Sequence, residues 1–106
     1  MGPAVGARRF RIGNRDVGPG QPVFVVAELS ANHALDRTRA ASLVRAAAAA
    51  GADAVKLQTY TPDTLTIDST SDWFRVPDGG TWAGQTLYEL YRSAYTPWEW
   101  HAELRD

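Results

Sequence analysis

The sequence predicts an α/β fold built on parallel strands, and a few local observations carry that expectation. An apolar run, Val23-Phe24-Val25-Val26-Ala27, ends in the carboxylate of Glu28. An Ala-rich segment follows and stops at Gly51. A second strand-like segment, Ala54 to Thr59, carries Lys56 and Gln58 toward its far end. Strand, helix, strand is the repeating unit of parallel sheets, and in such proteins chemistry collects at the carboxyl ends of the strands. Glu28, Lys56 and Gln58 are therefore the first candidates for a functional site.

Ahead of this unit, Phe10 to Val17 is expected to form a short β-hairpin. Gly13-Asn14 supplies the turn, and Phe10, Ile12 and Val17 the apolar positions. Gly18-Pro19-Gly20-Gln21-Pro22 then breaks regular structure. This divides the chain into a hairpin and linker over residues 1–22 and the first βα units over residues 23–106. The strand Val23 to Glu28 is apolar on both faces, as burial between two layers requires. Phe24, Val26 and Glu28 share one face; Val25 and Ala27 share the other. The helix is expected from Arg37 to Ala50, with Asp36 as N-cap and Gly51 just past its end. Ala40, Leu43, Val44 and Ala47 fall at helical spacing and make its buried stripe. In the second strand Ala54, Lys56 and Gln58 point one way, and Val55 and Leu57 the other. A lysine inside a barrel is costly to desolvate unless an anion meets it, which favours a ligand-binding role.

Residues 61–85 read as a long irregular link with Pro62, Pro77 and Gly79-Gly80, a length common in lids and binding loops. Thr86-Leu87-Tyr88-Glu89 is a capping-box sequence, with Leu87, Leu90, Tyr91 and Ala94 at helical spacing after it. Thr96-Pro97-Trp98-Glu99 is a second, with Pro97 at the first helical position. Trp73, Phe74 and Trp82 are expected to pack the link. Tyr88, Tyr91, Tyr95, Trp98 and Trp100 are expected to be mostly core or inter-helix contacts, with an interface as the alternative.

Composition sets outer bounds. The chain has 106 residues and a formal charge of -1, which gives no reason to expect nucleic acid or an anionic membrane as partner. It has no cysteine, which removes disulfides and thiolate metal sites and fits a cytoplasmic location. Met1 to Arg9 lacks the apolar core of a signal peptide, and no apolar run is long enough to span a bilayer. A (β/α)8 barrel takes about 250 residues, so the chain is expected to be the N-terminal part of a larger protein.

These residues resemble the sialic acid synthase family. Ala27-Glu28-Leu29-Ser30-Ala31-Asn32-His33 is similar to that family's first strand and loop. Gly51-Ala52-Asp53-Ala54-Val55-Lys56-Leu57-Gln58-Thr59-Tyr60 is similar to its second. Thr61-Pro62-Asp63-Thr64-Leu65-Thr66, Leu87-Tyr88-Glu89-Leu90-Tyr91 and Ala94-Tyr95-Thr96-Pro97-Trp98-Glu99-Trp100-His101 resemble the branch that makes pseudaminic acid. The resemblance implies the N-terminal portion of a (β/α)8 TIM barrel preceded by the hairpin, then a small antifreeze-like domain, in a homodimer. It implies a transferase that condenses phosphoenolpyruvate with an amino sugar, releasing phosphate. For the pseudaminic branch that sugar is 2,4-diacetamido-2,4,6-trideoxy-L-altrose. It also implies a divalent cation, Mn2+ or Mg2+, acting as a Lewis acid on the sugar aldehyde, with ligands from later strands outside this sequence. Synthesis of N-acetylneuraminate or legionaminate in the same family is the alternative, as is a non-catalytic remnant or complementation partner.

Carried over position by position, Glu28 is the catalytic carboxylate. It would stabilise positive character at carbon 2 of phosphoenolpyruvate, orient the sugar or move a proton. Lys56 matches the lysine that binds phosphoenolpyruvate, and Gln58 the amide lining the same pocket. Without the family, Glu28 and Lys56 read equally well as an ion pair between neighbouring strands. Asn32 is assigned to shaping the loop, because Asn tolerates unusual backbone angles; His33 stays open between that role and a functional one. His101 reads as a surface helix residue. Neither histidine is expected to bind the metal, and the 106-residue chain alone is expected neither to hold it nor to catalyse.

Overall fold

A computed structural model describes residue 6 and residues 8–106. Residues 1–5 and 7, which belong to the 1–22 region and to the stretch read for a signal peptide, lie outside the described residues. β1 (Phe10–Ile12) and β2 (Arg15–Val17) form the expected antiparallel hairpin, with Ile12 opposite Arg15. Gly13 opens the turn at φ 58°, a left-handed angle that glycine adopts without a steric penalty.

The second sheet pairs β3 (Val26–Glu28) with β4 (Ala54–Lys56) in parallel, Glu28 lying opposite Lys56. Between them runs α1 (Arg37–Ala49). Its first turn is capped as expected: Asp36 Oδ1 accepts from the Arg39 N–H at 3.1 Å. Its end is a Schellman arrangement, in which the N–H groups of Gly51 and Ala52 reach back to the carbonyls of Ala48 and Ala47 at 3.0 and 3.1 Å. Gly51 sits at φ 95°, where a side chain would be strained.

Both parallel strands are shorter than the sequence suggested, because each pairs only where the other faces it. The carbonyl of Val25 takes the N–H groups of Asp53 and Ala54 at one end; the carbonyl of Lys56 takes the Leu29 N–H at the other. Val23 and Phe24 lie before this ladder, and Leu57, Gln58 and Thr59 run past it outside any regular element. The apolar run expected to be covered on both faces is not covered by the described residues: Val23 is 81% exposed, and Val25 and Val26 are exposed too.

The link over 61–85 holds more structure than expected. Pro62–Leu65 forms a one-turn helix, α2, with Pro62 in its first turn and Thr64 Oγ1 donating to the Thr61 carbonyl at 2.7 Å. Asp72–Phe74 forms a 3-10 turn, and Arg75 bridges to Thr86 in an antiparallel contact. Trp73 does not pack the link, being 90% exposed; Phe74 and Trp82 are half-buried. α3 (Leu87–Ser93) begins with the expected box: the Glu89 N–H donates to Thr86 Oγ1 at 3.1 Å, and the Thr86 N–H to Glu89 Oε2 at 3.4 Å. The second box does not form. Pro97 keeps an extended ψ of 142°, a 3-10 turn spans Trp98–Trp100, and α4 (His101–Arg105) follows. The Thr96 hydroxyl is engaged elsewhere, by His33. Trp98 is exposed rather than a core contact, while Tyr88, Tyr91, Tyr95 and Trp100 are half-buried.

Among the described residues the buried apolar side chains are Leu29, Ala31, Ala40, Ala94 and Leu104. Of the expected helix stripe only Ala40 is fully buried; Leu43, Val44 and Ala47 are half-buried. The radius of gyration is 18.3 Å, against about 13 Å for a compact domain of this length. Small side chains and an extended outline leave a thin core.

Candidate active site at the strand ends

Parallel register brings the candidate residues together. Glu28 and Lys56 occupy matching positions on neighbouring strands, so their side chains leave the sheet on one face. Gln58 lies two positions further along that face, and its Nε2–H donates to Glu28 Oε1 at 2.9 Å. Glu28 and Lys56 form no ion pair with each other, so the ion-pair reading is not realised; the partner of Glu28 is an amide. Lys56 is exposed, so its case rests on position rather than on a burial cost. A shallow cavity of about 470 Å³ opens beside it, bordered by the run from Lys56 to Tyr60 together with Leu65 and Tyr91. The Tyr60 ring meets Tyr91 edge-on at 5.4 Å, and its hydroxyl donates to the Ala94 carbonyl. Burial, with Tyr91 adding, pushes the Tyr60 hydroxyl above its ordinary pKa, so it stays a neutral donor. The set combines an anion, a cation and an amide that both donates and accepts.

The loop after β3 is fastened by His33. This residue is fully buried. Its Nδ1 accepts from the Leu35 N–H at 3.1 Å, which places the ring proton on Nε2, where it donates to Thr96 Oγ1 at 3.0 Å. Trp100 meets the ring edge-on at 5.3 Å. Burial lowers the pKa of His33 and keeps it neutral. The question left open by sequence is thus answered by packing. Asn32 does not carry unusual backbone angles; Ser30, Ala34 and Leu35 do, at φ 48°, 50° and 56°. His101 is not a free surface residue: it is half-buried, hydrogen-bonded to Thr59 Oγ1 and tilted against Trp98 at 5.4 Å.

Two residues take roles that sequence reasoning misses. Asp53 joins the hairpin to the sheet, accepting from the Val25 N–H at 2.9 Å and pairing with Arg15. The bond from Val25 first, with Arg15 assisting against the cost of partial burial, holds its carboxyl below the usual range. The signal was an aspartate in the turn between Gly51 and β4, where a short carboxylate readily takes backbone N–H groups. The sequence suggests Thr96 as a helix cap. Fully buried, it instead joins two loops, since its N–H donates to the Gln58 carbonyl at 2.6 Å while its hydroxyl meets His33.

Residues 43–106 match the NeuB family. The chain belongs to that family. It is 54% identical over 82 residues to the pseudaminic acid synthase of Campylobacter jejuni, covering 77% of this chain and 24% of that protein. It is 52% identical over 84 residues to the pseudaminic acid synthase of Helicobacter pylori, covering 79% and 24%. Identity is 34% over 89 residues to the N,N'-diacetyllegionaminic acid synthase of Legionella pneumophila, covering 84% and 25%. The crystal structure of the spore coat polysaccharide biosynthesis protein SpsE of Bacillus subtilis superposes with a TM-score of 0.60 at 35% identity, over 92% of this chain and 24% of that one. The chain thus spans about a quarter of the length of the curated relatives it matches. As a small α/β unit with a parallel strand pair, it is consistent with part of a barrel.

Among the described residues of this NeuB-family chain, no three His, Asp or Glu side chains gather to hold a metal ion. His33 engages both ring nitrogens within the fold, and His101 engages Nε2. The residues present do not fit the expected cation. No helix among them is long and apolar enough to cross a membrane.

Proposed function

We propose that residues 1–106 are the opening part of a phosphoenolpyruvate-dependent nonulosonic acid synthase, a transferase, and that residues 23–106 are the first βα units of its (β/α)8 barrel. The observation that carries this reading is the register pairing of Glu28 with Lys56, with Gln58 bonded to the carboxylate. The product is assigned as pseudaminic acid, because identity is higher to the two pseudaminic acid synthases than to the legionaminic acid synthase.

In this reading the Lys56 ammonium binds the phosphate or carboxylate of phosphoenolpyruvate. Carbon 3 of that substrate attacks the open-chain aldehyde of 2,4-diacetamido-2,4,6-trideoxy-L-altrose, forming the new C–C bond. The aldehyde π pair moves to its oxygen, which takes a proton. Carbon 2 gains positive character, water adds there and gives up a proton, and the tetrahedral carbon collapses to the ketone as its hydroxyl loses a proton and phosphate leaves by C–O cleavage. Glu28 acts at that centre, stabilising the charge or taking the proton. Gln58 keeps one N–H and its carbonyl for substrate oxygens. The ligands of an Mn2+ or Mg2+ ion are assigned to residues outside 1–106. A homodimer in the cytoplasm completes the proposal, and the 106 residues alone are inactive.

The test uses the full-length protein with phosphoenolpyruvate and each of three sugars. Phosphate release with the altrose derivative is the expected outcome. Preference for N-acetylmannosamine or for the legionaminic acid precursor would overturn the substrate assignment, and no release with any sugar would overturn the synthase reading.

A further inference from the structure

We infer that Thr96 is a positioning residue for the site, the cross-link that holds Gln58 against Glu28; this rests on the synthase reading above. The β3–β4 ladder stops at the Glu28–Lys56 pair. Gln58 lies beyond it, where no strand partner fixes its backbone. What meets that backbone is the Thr96 N–H, at 2.6 Å from the Gln58 carbonyl. Thr96 is in turn fixed on its other side by His33, which belongs to the loop leaving β3 just after Glu28. One buried residue therefore joins the continuations of both strands past the end of their ladder. The adjoining Ala94 carbonyl accepts from Tyr60, which ties the same segment to the far side of β4. The Gln58–Glu28 bond of 2.9 Å depends on the two continuations keeping their separation. A shift of about 1 Å at a reacting group is enough to lower turnover about a hundredfold.

Dependence on Glu28 distinguishes Thr96 from an ordinary packing residue. In the full-length protein, Thr96→Val keeps the shape and removes the hydroxyl that His33 meets. Turnover is expected to fall about tenfold to a hundredfold, with KM for phosphoenolpyruvate rising far less than in Lys56→Ala, because Lys56 is held by the ladder. Thr96→Ser restores the hydroxyl and should return most of the rate. Introduced into a Glu28→Gln background, Thr96→Val should cost little more, since its effect passes through Glu28. A full multiplicative loss in that background, or a rate per folded enzyme equal to wild type, overturns the inference. Should the valine variant fail to fold, the pair His33→Leu with Thr96→Val takes its place under the same criteria; it removes both members of the buried bond and leaves only the Leu35 N–H, on an exposed residue, to be met by water. The side-chain amide resonance of Gln58 gives a readout independent of activity. It should shift on Glu28→Gln and on Thr96→Val alike, and a resonance indifferent to Thr96→Val overturns the cross-link. A wild-type enzyme that is inactive on every sugar, while this resonance responds, overturns the synthase reading and with it the catalytic purpose, leaving the cross-link itself demonstrated.

Discussion

Replacing His33 by leucine tests the buried clasp most directly. The substitution keeps an apolar side chain of moderate size but removes both ring nitrogens. The Leu35 N–H that Nδ1 served belongs to an exposed residue, so water can replace that bond at little cost. The Thr96 hydroxyl has no such recourse, because Thr96 is 0% exposed. Leaving it unmatched should cost about 1–3 kcal/mol. Losing the edge-on contact with Trp100 adds about 0.5–1.5 kcal/mol. The expected destabilisation is therefore about 1.5–4.5 kcal/mol, read from urea unfolding followed by tryptophan fluorescence. A second variant sharpens the reading. With Thr96→Val added, both polar partners are gone, and about 1–2 kcal/mol should return. A single variant within about 0.5 kcal/mol of wild type, or a double variant as unstable as the two singles combined, would refute the clasp.

The remaining predictions concern charge and exposed surface. In the full-length protein Lys56→Ala should weaken phosphoenolpyruvate binding, and an unchanged affinity by calorimetry would remove Lys56 from the site. Glu28→Gln should lower turnover while circular dichroism and melting stay near wild type, since Glu28 is exposed; collapse of the fold instead would make Glu28 structural. The folded pKa of His33 is lowered from 6.5, so the unfolded chain binds the extra proton and stability should fall as pH drops below that value. His33→Leu should flatten this dependence, and an equal slope in the variant would assign it to other groups. Asp53 is likewise lowered from 3.8, so its contribution is present above that pH and is lost as pH falls through the depressed value. Finally, the 106-residue chain exposes Val23, Val25 and Val26 along a two-stranded sheet with open edges, and should self-associate. Light scattering that gives a monomer mass at every concentration would contradict this.

Legibility from sequence followed the range of the forces involved. Elements set by neighbours in the chain were readable: the Gly13-Asn14 turn, the Asp36 cap, the Gly51 stop and the Thr86–Glu89 box all form as their local chemistry dictates. The Thr61-Pro62 start of α2 carried the same kind of signal and was overlooked inside a stretch rich in Pro and Gly. Strand length was not readable, because a ladder ends where its partner ends, and no residue of Val23 to Glu28 announces that. The Thr96-Pro97 start shows local chemistry losing to tertiary chemistry. Thr96 could have capped a helix, but a buried histidine on a distant loop offers its hydroxyl a partner shielded from water.

The same contrast bears on the site. Period-two alternation put Glu28 at the end of one strand and Lys56 with Gln58 on one face of the other; in the structure Glu28 lies opposite Lys56, and Gln58, past the end of β4, bonds to Glu28. Their contact, however, falls outside the ladder, so it cannot be maintained by sheet hydrogen bonding alone. The groups that maintain it, Thr96 and His33, are far away in sequence and look like a cap residue and a loop residue. A thin core of mostly small side chains makes such cross-links more important, since little apolar packing is present to resist displacement of the loops. The Glu28–Gln58 geometry in this chain is therefore a consequence of side-chain and loop hydrogen bonds more than of the sheet. Substitutions at those buried threonine and histidine positions should disturb the strand ends before they disturb the β3–β4 ladder.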